Sequence, residues 1–377
     1  MLTNIPTPYR VAFFDTLGTE LAVAGGRLEV FYCADTEPGR QWKFNDDTRG
    51  GTRIPGASPR IRGDAFHLNP TATVHIRKVD PDWLLVGGSW NTPTMIAVSA
   101  LERRRVPRVF WSEGHMAAVR HRSGPIARAR ALVLNSFDGF AVPNQRSEDF
   151  IRTQTRRSQP IVRLPNTVDE GFFDPTAVDT QSVRSRLGLP PGARVLVIVA
   201  SLEPRKRVLE SVQAFNTVAQ SWPDLHLVVV GSGPQKAEIE HAASGSLRVH
   251  FVGQREAEEV RDILASAEGF LLASSYDPNP LSVIEAALCG CFLMTTQAVG
   301  NSEELVHASG GTVISDAPGT DVGAELALAI RAFALRSTED ISSSGLKTRQ
   351  FALAHYTRKT VARSLITSLD RLWPPGG

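Results

Sequence analysis

Short runs of apolar, largely β-branched residues alternate along the chain with stretches in which apolar positions recur every three or four residues. The pattern is cleanest in the second half. Arg194-Val-Leu-Val-Ile-Val-Ala200 is near-continuously apolar, as a strand buried on both faces must be. The stretch from Val208 to Trp222 then places Leu209, Val212, Phe215 and Val218 at helical spacing. Further strands are predicted over Leu225–Val230, Val249–Val252, Gly269–Ala273 and Cys291–Thr295, and helices over Gln235–Ala243, Ala257–Ala267 and Pro280–Leu288. Strands and helices alternating through short connections imply a parallel sheet with helices on both faces.

The first half repeats this less regularly. Arg27–Cys33, Trp83–Val86, Val106–Trp111, Phe140–Pro143 and Ile161–Leu164 are strand-like. Only Met1–Asn4 precede the first loop, which fits a trimmed sheet edge or a start further upstream. Residues 36–66, rich in Gly, Pro, Arg and Asp, read as a long loop, a feature more often functional than idle. Leu164–Asp169 closes the first domain, and Asp174–Val183 reads as a linker. The tail Tyr356–Trp373 carries Val361, Leu365, Leu369 and Leu372 on one stripe. The expected organisation is two α/β domains, 1–168 and 176–355, with a C-terminal helix (about 356–377) packing back onto the first. Two such domains would meet across a cleft, with ligands held beyond the carboxyl ends of the strands.

Composition narrows the class. The 377 residues are 42% hydrophobic and 21% charged, the profile of a soluble globular protein long enough for two domains. No run reaches the roughly 18 apolar residues of a membrane span, and the N-terminus lacks the basic and apolar regions of a secretory signal. Cys33, Cys289 and Cys291 supply neither a disulfide framework nor a zinc ligand set, so a reducing, cytoplasmic setting and no metal are expected. The net charge of +2 conceals an asymmetry: residues 1–168 carry +8 and residues 169–377 carry −6.

Three segments have residue types suited to chemistry. Gly231-Ser-Gly233 follows a strand and opens a helix, which invites a dinucleotide reading; Lys236 stands where a third glycine belongs, and a tight βα turn is the plainer alternative. In Asp277-Pro-Asn-Pro-Leu-Ser-Val-Ile-Glu285, Asn279 suits a helix N-cap and Pro280 the first helical position. The backbone N–H groups of Leu281 and Ser282 would then face an anion, flanked by two carboxylates better suited to sugar hydroxyls than to phosphate. Their alternative roles are a turn residue and a surface position. Arg205-Lys206-Arg207 follows the strand ending at Ala200, where three cations can neutralise a diphosphate or simply be solvated.

In order, Pro165-Asn-Thr-Val-Asp169, Ser201–Arg207, Leu227–Pro234, Val249–Gly253, Asp277–Glu285 and Gly300-Asn-Ser-Glu-Glu304-Leu-Val resemble the donor-binding half of the retaining family 4 glycosyltransferases of bacterial cell-surface polysaccharide and glycolipid synthesis. The resemblance implies the GT-B fold: two Rossmann-like domains whose parallel sheets face a central cleft. It assigns Lys206, with Arg205 or Arg207, to the donor pyrophosphate, Glu285 to the ribose, Asp277 to the donor sugar, Glu304 to the phosphate and sugar pocket, and the backbone at Gly253 to the base. Asp277 stands where the family usually has Glu, and Ser201 where it has a phosphate-binding Arg. Cys289 occupies a slot where the family often has Cys, which favours core packing.

In the first domain, Asn4-Ile-Pro-Thr-Pro8-Tyr9-Arg10 resembles the family's loop after the first strand, which puts Pro8, Tyr9 and Arg10 on the acceptor side. Glu113 falls in the slot of the family's sugar-contacting His, with His115 two residues on. Arg103-Arg-Arg105 and Arg120, Arg122, Arg128 and Arg130 form a basic surface suited to anionic lipid headgroups or a lipid-pyrophosphate acceptor, or to plain solvation; no nucleic-acid module is present. The expectation is a metal- and cofactor-independent hexosyltransferase moving sugar from a UDP- or GDP-sugar to an acceptor hydroxyl with retention, cytoplasmic and peripheral to the membrane. Its rivals are a nucleotide-sugar epimerase or inverting transferase on the same fold, an NAD-dependent oxidoreductase, and a non-catalytic nucleotide-sugar binding protein.

Overall fold

A computed structural model describes residues 1–37, 50–61, 64–103, 105–119 and 121–374. The chain divides into two compact units, Met1–Thr167 joined by residues from Arg358 onward, and Val168–Thr357.

In the second unit the apolar runs become a six-stranded parallel sheet among the described residues, in the order Val249–Gly253, Leu225–Val230, Arg194–Val199, Gly269–Leu272, Phe292–Thr296, Thr312–Ile314. Alternation along each strand splits the side chains between two cores. Val195, Val197, Val228, Val230, Phe270 and Leu272 face one side, packed under the helix Leu281–Leu288. Leu196, Ile198, Leu227, Val229, Leu271 and Met294 face the other, against the helices Val208–Ala219 and Val322–Leu335. A sheet apolar on both faces has no stable alternative to being covered on both. The strand order reverses between Arg194–Val199 and Gly269–Leu272, so a ligand crevice belongs at their carboxyl ends.

Among the described residues the first unit forms a seven-stranded sheet in the order Thr52–Arg53, Phe31–Tyr32, Leu2–Thr3, Leu84–Gly87, Arg108–Trp111, Gly139–Val142, Ile161–Arg163, again parallel throughout. Leu2–Thr3 lies inside this sheet, between Phe31–Tyr32 and Leu84–Gly87, and is not a trimmed edge. Its two residues give the neighbouring strand little to pair with. The ladder predicted over Arg27–Cys33 accordingly contracts to Phe31–Tyr32. Part of the expected 36–66 loop is also ordered into pairing: Thr52–Arg53 joins the sheet, and Arg60–Ile61 pairs antiparallel with Asp64–Ala65. Residues 38–49 and 62–63 of that loop lie outside the described residues.

The helix Arg358–Leu372 buries Val361, Leu365 and Leu369 in the first unit's core with Phe13, Phe14 and Leu17 of the helix Pro8–Val23. Asp174–Val183 is no free linker. Asp174 caps the turn Pro175–Ala177 and accepts from Arg349 at 3.0 Å, Asp179 caps the helix Thr180–Arg186, and Val183 is buried. Local capping folds this segment into the second unit. Cys289 and Cys291 are buried in the same core, and desolvation pushes the Cys289 thiol up to about 12. Among the described residues no helix is long and apolar enough to cross a membrane.

Candidate functional site

The strand Arg194–Val199 ends into Ala200–Glu203, a single 3-10 turn (Pro204–Lys206), and Arg207, whose φ of 51° reverses the chain before the helix Val208–Ala219. Left-handed backbone at a non-glycine residue is costly. It turns Lys206 inward, where its Nζ donates to Asp277 Oδ2, both residues being buried. Asp277 follows the strand Gly269–Leu272, so this pair sits at the reversal point of the sheet.

The three expected cations take different places. Arg205 is exposed, donates to Glu203 at 2.7 Å and to the Tyr276 carbonyl at 3.1 Å, and lies 4.0 Å from Asp277. Arg207 points elsewhere and pairs with Asp316 at 3.3 Å. Asp316, its side chain largely covered just past the strand Thr312–Ile314, was not foreseen; its position beyond a strand's carboxyl end was the available signal.

The loop after Asp277 is stitched to the loop before the helix Ser302–Ser309. Gly300 N–H donates to the Asp277 carbonyl at 2.8 Å, and Asn301 Nδ2 donates to the Pro280 carbonyl at 3.3 Å. Asn301 also escaped the sequence reading. The second helix puts Glu303 and Glu304 in its first turn. The helix at the site begins at Leu281, one residue later than expected: Pro280, at ψ 128°, is the N-cap in place of Asn279. The chain bends at Pro278 and Asn279 before the extended Pro280. Leu281 and Ser282 then hold first-turn amides, which have no partner inside a helix. Glu285, one turn on, is partly buried, and desolvation alone raises its carboxyl from 4.5 to about 7.

The glycines Gly231 and Gly233 have a packing reason. A Cβ on Gly231 would lie 1.9 Å from the Ala200 carbonyl oxygen, and one on Gly233 2.7 Å from the Leu202 backbone. These residues let the 200–202 loop lie flat on the neighbouring strand end. Gly253 ends the edge strand at φ 73° and its carbonyl accepts from Gly231 N–H at 2.9 Å.

In the first unit, Arg10 stacks on Trp111 with its guanidinium 4.4 Å from the ring centroid and pairs with Glu113 at 3.2 Å. Burial lowers the Arg10 pKa, but Tyr9 and Glu113 outweigh it and the net shift is upward. Pro8 opens the helix that carries Tyr9 and Arg10. His115 is buried and its Nδ1 accepts from Ala117 N–H at 3.1 Å, capping the turn Met116–Ala118. Thus Arg10 and Glu113 are brought together, while His115 has a local capping job. Of the basic surface, Arg130 turns inward to Gln154 (2.7 Å) and the His121 carbonyl (2.9 Å). Arg103, Arg122, Arg128, Arg156 and Arg157 line a groove beside the helix Gly124–Leu134, while Arg104 and Arg120 lie outside the described residues.

Residues 179–331 match the family model described as Glycosyl transferases group 1. The chain is 29% identical over 156 residues to a GDP-mannose-dependent monoacylated alpha-(1-6)-phosphatidylinositol monomannoside mannosyltransferase of Corynebacterium glutamicum, covering 39% of this chain and 41% of that protein. It is 26% identical over 157 residues to the 2-deoxystreptamine glucosyltransferase of Streptomyces kanamyceticus, covering 40% and 41%. The matched region thus spans about two fifths of the length of these curated relatives. Among solved structures, the chain resembles Anabaena HepE in complex with UDP and glucose (TM-score 0.69, 17% identity, 98% of this chain and 99% of that one). It also resembles a sucrose-phosphate synthase from Thermosynechococcus elongatus (TM-score 0.71, 18% identity, 98% of each). The two parallel sheets and these likenesses show the GT-B fold. The group 1 match lies within the second unit, over about two fifths of the chain.

Proposed function

We propose that the chain moves a hexose-type sugar from a nucleoside diphosphate donor, UDP- or GDP-linked, to an acceptor hydroxyl in polysaccharide or glycolipid synthesis. The observation that carries this reading is the buried Lys206–Asp277 pair at the sheet's reversal point, in the loop that leads into the helix opening at Leu281 and Ser282. As the bond from the anomeric carbon to the pyrophosphate breaks, negative charge grows on the departing phosphate. A fixed ammonium and helix amides meet that charge without reorganising, which is where preorganised electrostatics lowers a barrier most. The pyrophosphate competes with Asp277 for Lys206, freeing the carboxylate for donor-sugar hydroxyls. Glu285 accepts from the ribose hydroxyls, and Arg205 covers the pyrophosphate from the exposed side. Arg207, held by Asp316, shapes the turn that presents Lys206. Glu304 borders the phosphate, and the Gly253 backbone faces the base.

Retention of configuration, independence of metal, and an acceptor held by the Pro8–Arg10 and Glu113 side of the first unit belong to the same reading. The names of the mannosyl- and glucosyltransferase relatives support the sugar class. The arginine-lined groove supports an anionic acceptor or peripheral contact with an anionic membrane surface. A thermal-shift screen of UDP, GDP, ADP and their hexose conjugates tests the donor site: at least one diphosphate should raise the melting temperature. With that donor, the anomeric proton of the product by NMR should match the donor's configuration, and EDTA should leave turnover unchanged. Failure of every nucleotide to bind would refute the reading, and an inverted product would remove retention.

A further inference from the structure

In the first unit, away from the residues used above, Ala57 and Leu68 form an antiparallel bridge through both of their backbone hydrogen bonds, at 3.0 and 2.8 Å. The next pair outward, Ser58 and His67, is therefore a non-hydrogen-bonded cross-strand pair, the type whose side chains lie closest. Ser58 Oγ is 2.8 Å from His67 Nδ1, and His67 Nε2 is 2.9 Å from Glu37 Oε1. Asn4 Nδ2 donates to the same Glu37 oxygen at 3.1 Å. The histidine is fully buried, and its backbone carbonyl accepts from the Thr94 hydroxyl at 2.9 Å. Ser58 is exposed.

In the neutral imidazole this arrangement selects one tautomer. An ionised carboxylate only accepts, so Nε2 carries the proton toward Glu37 and the Nδ1 lone pair faces the serine hydroxyl. A surface hydroxyl, a buried base and a carboxylate orienting that base are the three parts of an activated nucleophile.

We propose that Ser58 is a base-activated nucleophile that accepts acyl or phosphonyl groups from activated esters, a reactivity separate from sugar transfer. In the acyl case Oγ bonds to the carbonyl carbon while its proton passes to His67 Nδ1, and Glu37 stabilises the imidazolium. The bond to the leaving alkoxide then breaks and the alcohol departs with the proton from His67. Water, deprotonated by the same imidazole, releases the acid and regenerates Ser58. With a fluorophosphonate the O–P bond forms, the P–F bond breaks, fluoride leaves and the proton passes through His67 to solvent; the adduct persists.

The test treats the full chain with a biotinylated fluorophosphonate and maps the adduct by mass spectrometry. One adduct on Ser58 is expected, absent in Ser58→Ala and slowed when excess p-nitrophenyl acetate is present during labelling. His67→Gln should slow labelling by about 10²-fold, the scale of losing a general base. Glu37 is a positioning residue: Glu37→Gln should slow labelling about 10-fold or more with the melting temperature unchanged, and Glu37→Asp should restore part of the rate. An unlabelled wild-type chain, an adduct on a residue other than Ser58, or equal labelling of wild type and His67→Gln overturns the proposal. Because the wild-type arm needs no nucleotide or acceptor, its failure is independent of the glycosyl-transfer reading.

Discussion

Glu285 offers the sharpest check on the donor site, because its burial makes stability and binding respond to pH in opposite senses. In the unfolded chain its carboxyl titrates near 4.5; in the folded chain desolvation moves this to about 7. Below the lower value both states hold the proton and the group costs nothing. Between the two, the folded state binds more protons than the unfolded one, so stability falls as pH rises. Above the upper value the penalty is complete, about 3 kcal/mol at roughly 1.4 kcal/mol for each tenfold change in proton affinity. Glu285→Gln removes the titration but keeps the shape. It should match wild type near pH 4.5 and exceed it at pH 8 by about 3 kcal/mol, or about 6–12 °C in melting temperature at 2–4 °C per kcal/mol.

Binding runs the other way. Ribose hydroxyls donating to the carboxylate favour its ionised form, so the affinity of wild type for a UDP- or GDP-hexose, whose diphosphate has no group titrating in this range, should rise between pH 5.5 and 7.5, with proton release on binding. Glu285→Gln should bind more weakly and show no such rise. The two measurements are urea melts across pH and calorimetry in buffers of differing ionisation enthalpy. Superimposable melts of wild type and variant at every pH would refute the buried, raised carboxyl. A pH-dependent affinity surviving in the variant would refute its contact with ribose.

Lys206→Ala should lower turnover by about 10²-fold or more with a verified donor, the scale of one preorganised charge contact, and unchanged turnover removes its phosphate role. Gly231→Ala forces a Cβ to within 1.9 Å of the Ala200 carbonyl oxygen, and should destabilise the second unit by about 2 kcal/mol or more in urea unfolding. Leu365→Ala empties a fully buried position in the first unit's core and should cost about 2–5 kcal/mol, seen as an earlier unfolding transition.

The second unit was largely legible in the sequence because each of its strands is a run of apolar residues bounded by a turn. Leu225–Val230 is strand from end to end, and the other predicted strands and helices shift by a few residues at their ends, while the strand Thr312–Ile314 and the helices Thr180–Arg186, Ser302–Ser309, Val322–Leu335 and Thr338–His355 were not predicted. In the first unit, Leu2–Thr3 and Thr52–Arg53 are two residues each, too short for any periodicity to register, and Phe31–Tyr32 keeps only two residues of the apolar run that announced it. What holds them is pairing across the sheet, which sequence spacing does not encode. The site divides the same way. Residue types around Lys206 and Asp277 pointed to an anion and a sugar, yet their direct pairing spans 71 positions and was not readable. Neither was the turning of Arg207 to Asp316, nor the cross-strand meeting of Ser58 and His67, because each depends on which segments fold side by side.

The return of the chain at Arg358 makes the second unit an insertion: the backbone enters at Val168 and leaves at Thr357. Those two points are bonded to each other within that unit, by a parallel bridge and by Val168 N–H donating to the Tyr356 carbonyl at 3.4 Å. A protease cutting one crossing would therefore leave the unit tethered by the other, and two cuts are needed to release it. Because its ends already lie paired, residues 168–357 can be expressed as one piece, or reconnected end to end and reopened at a surface loop, without stretching the sheet.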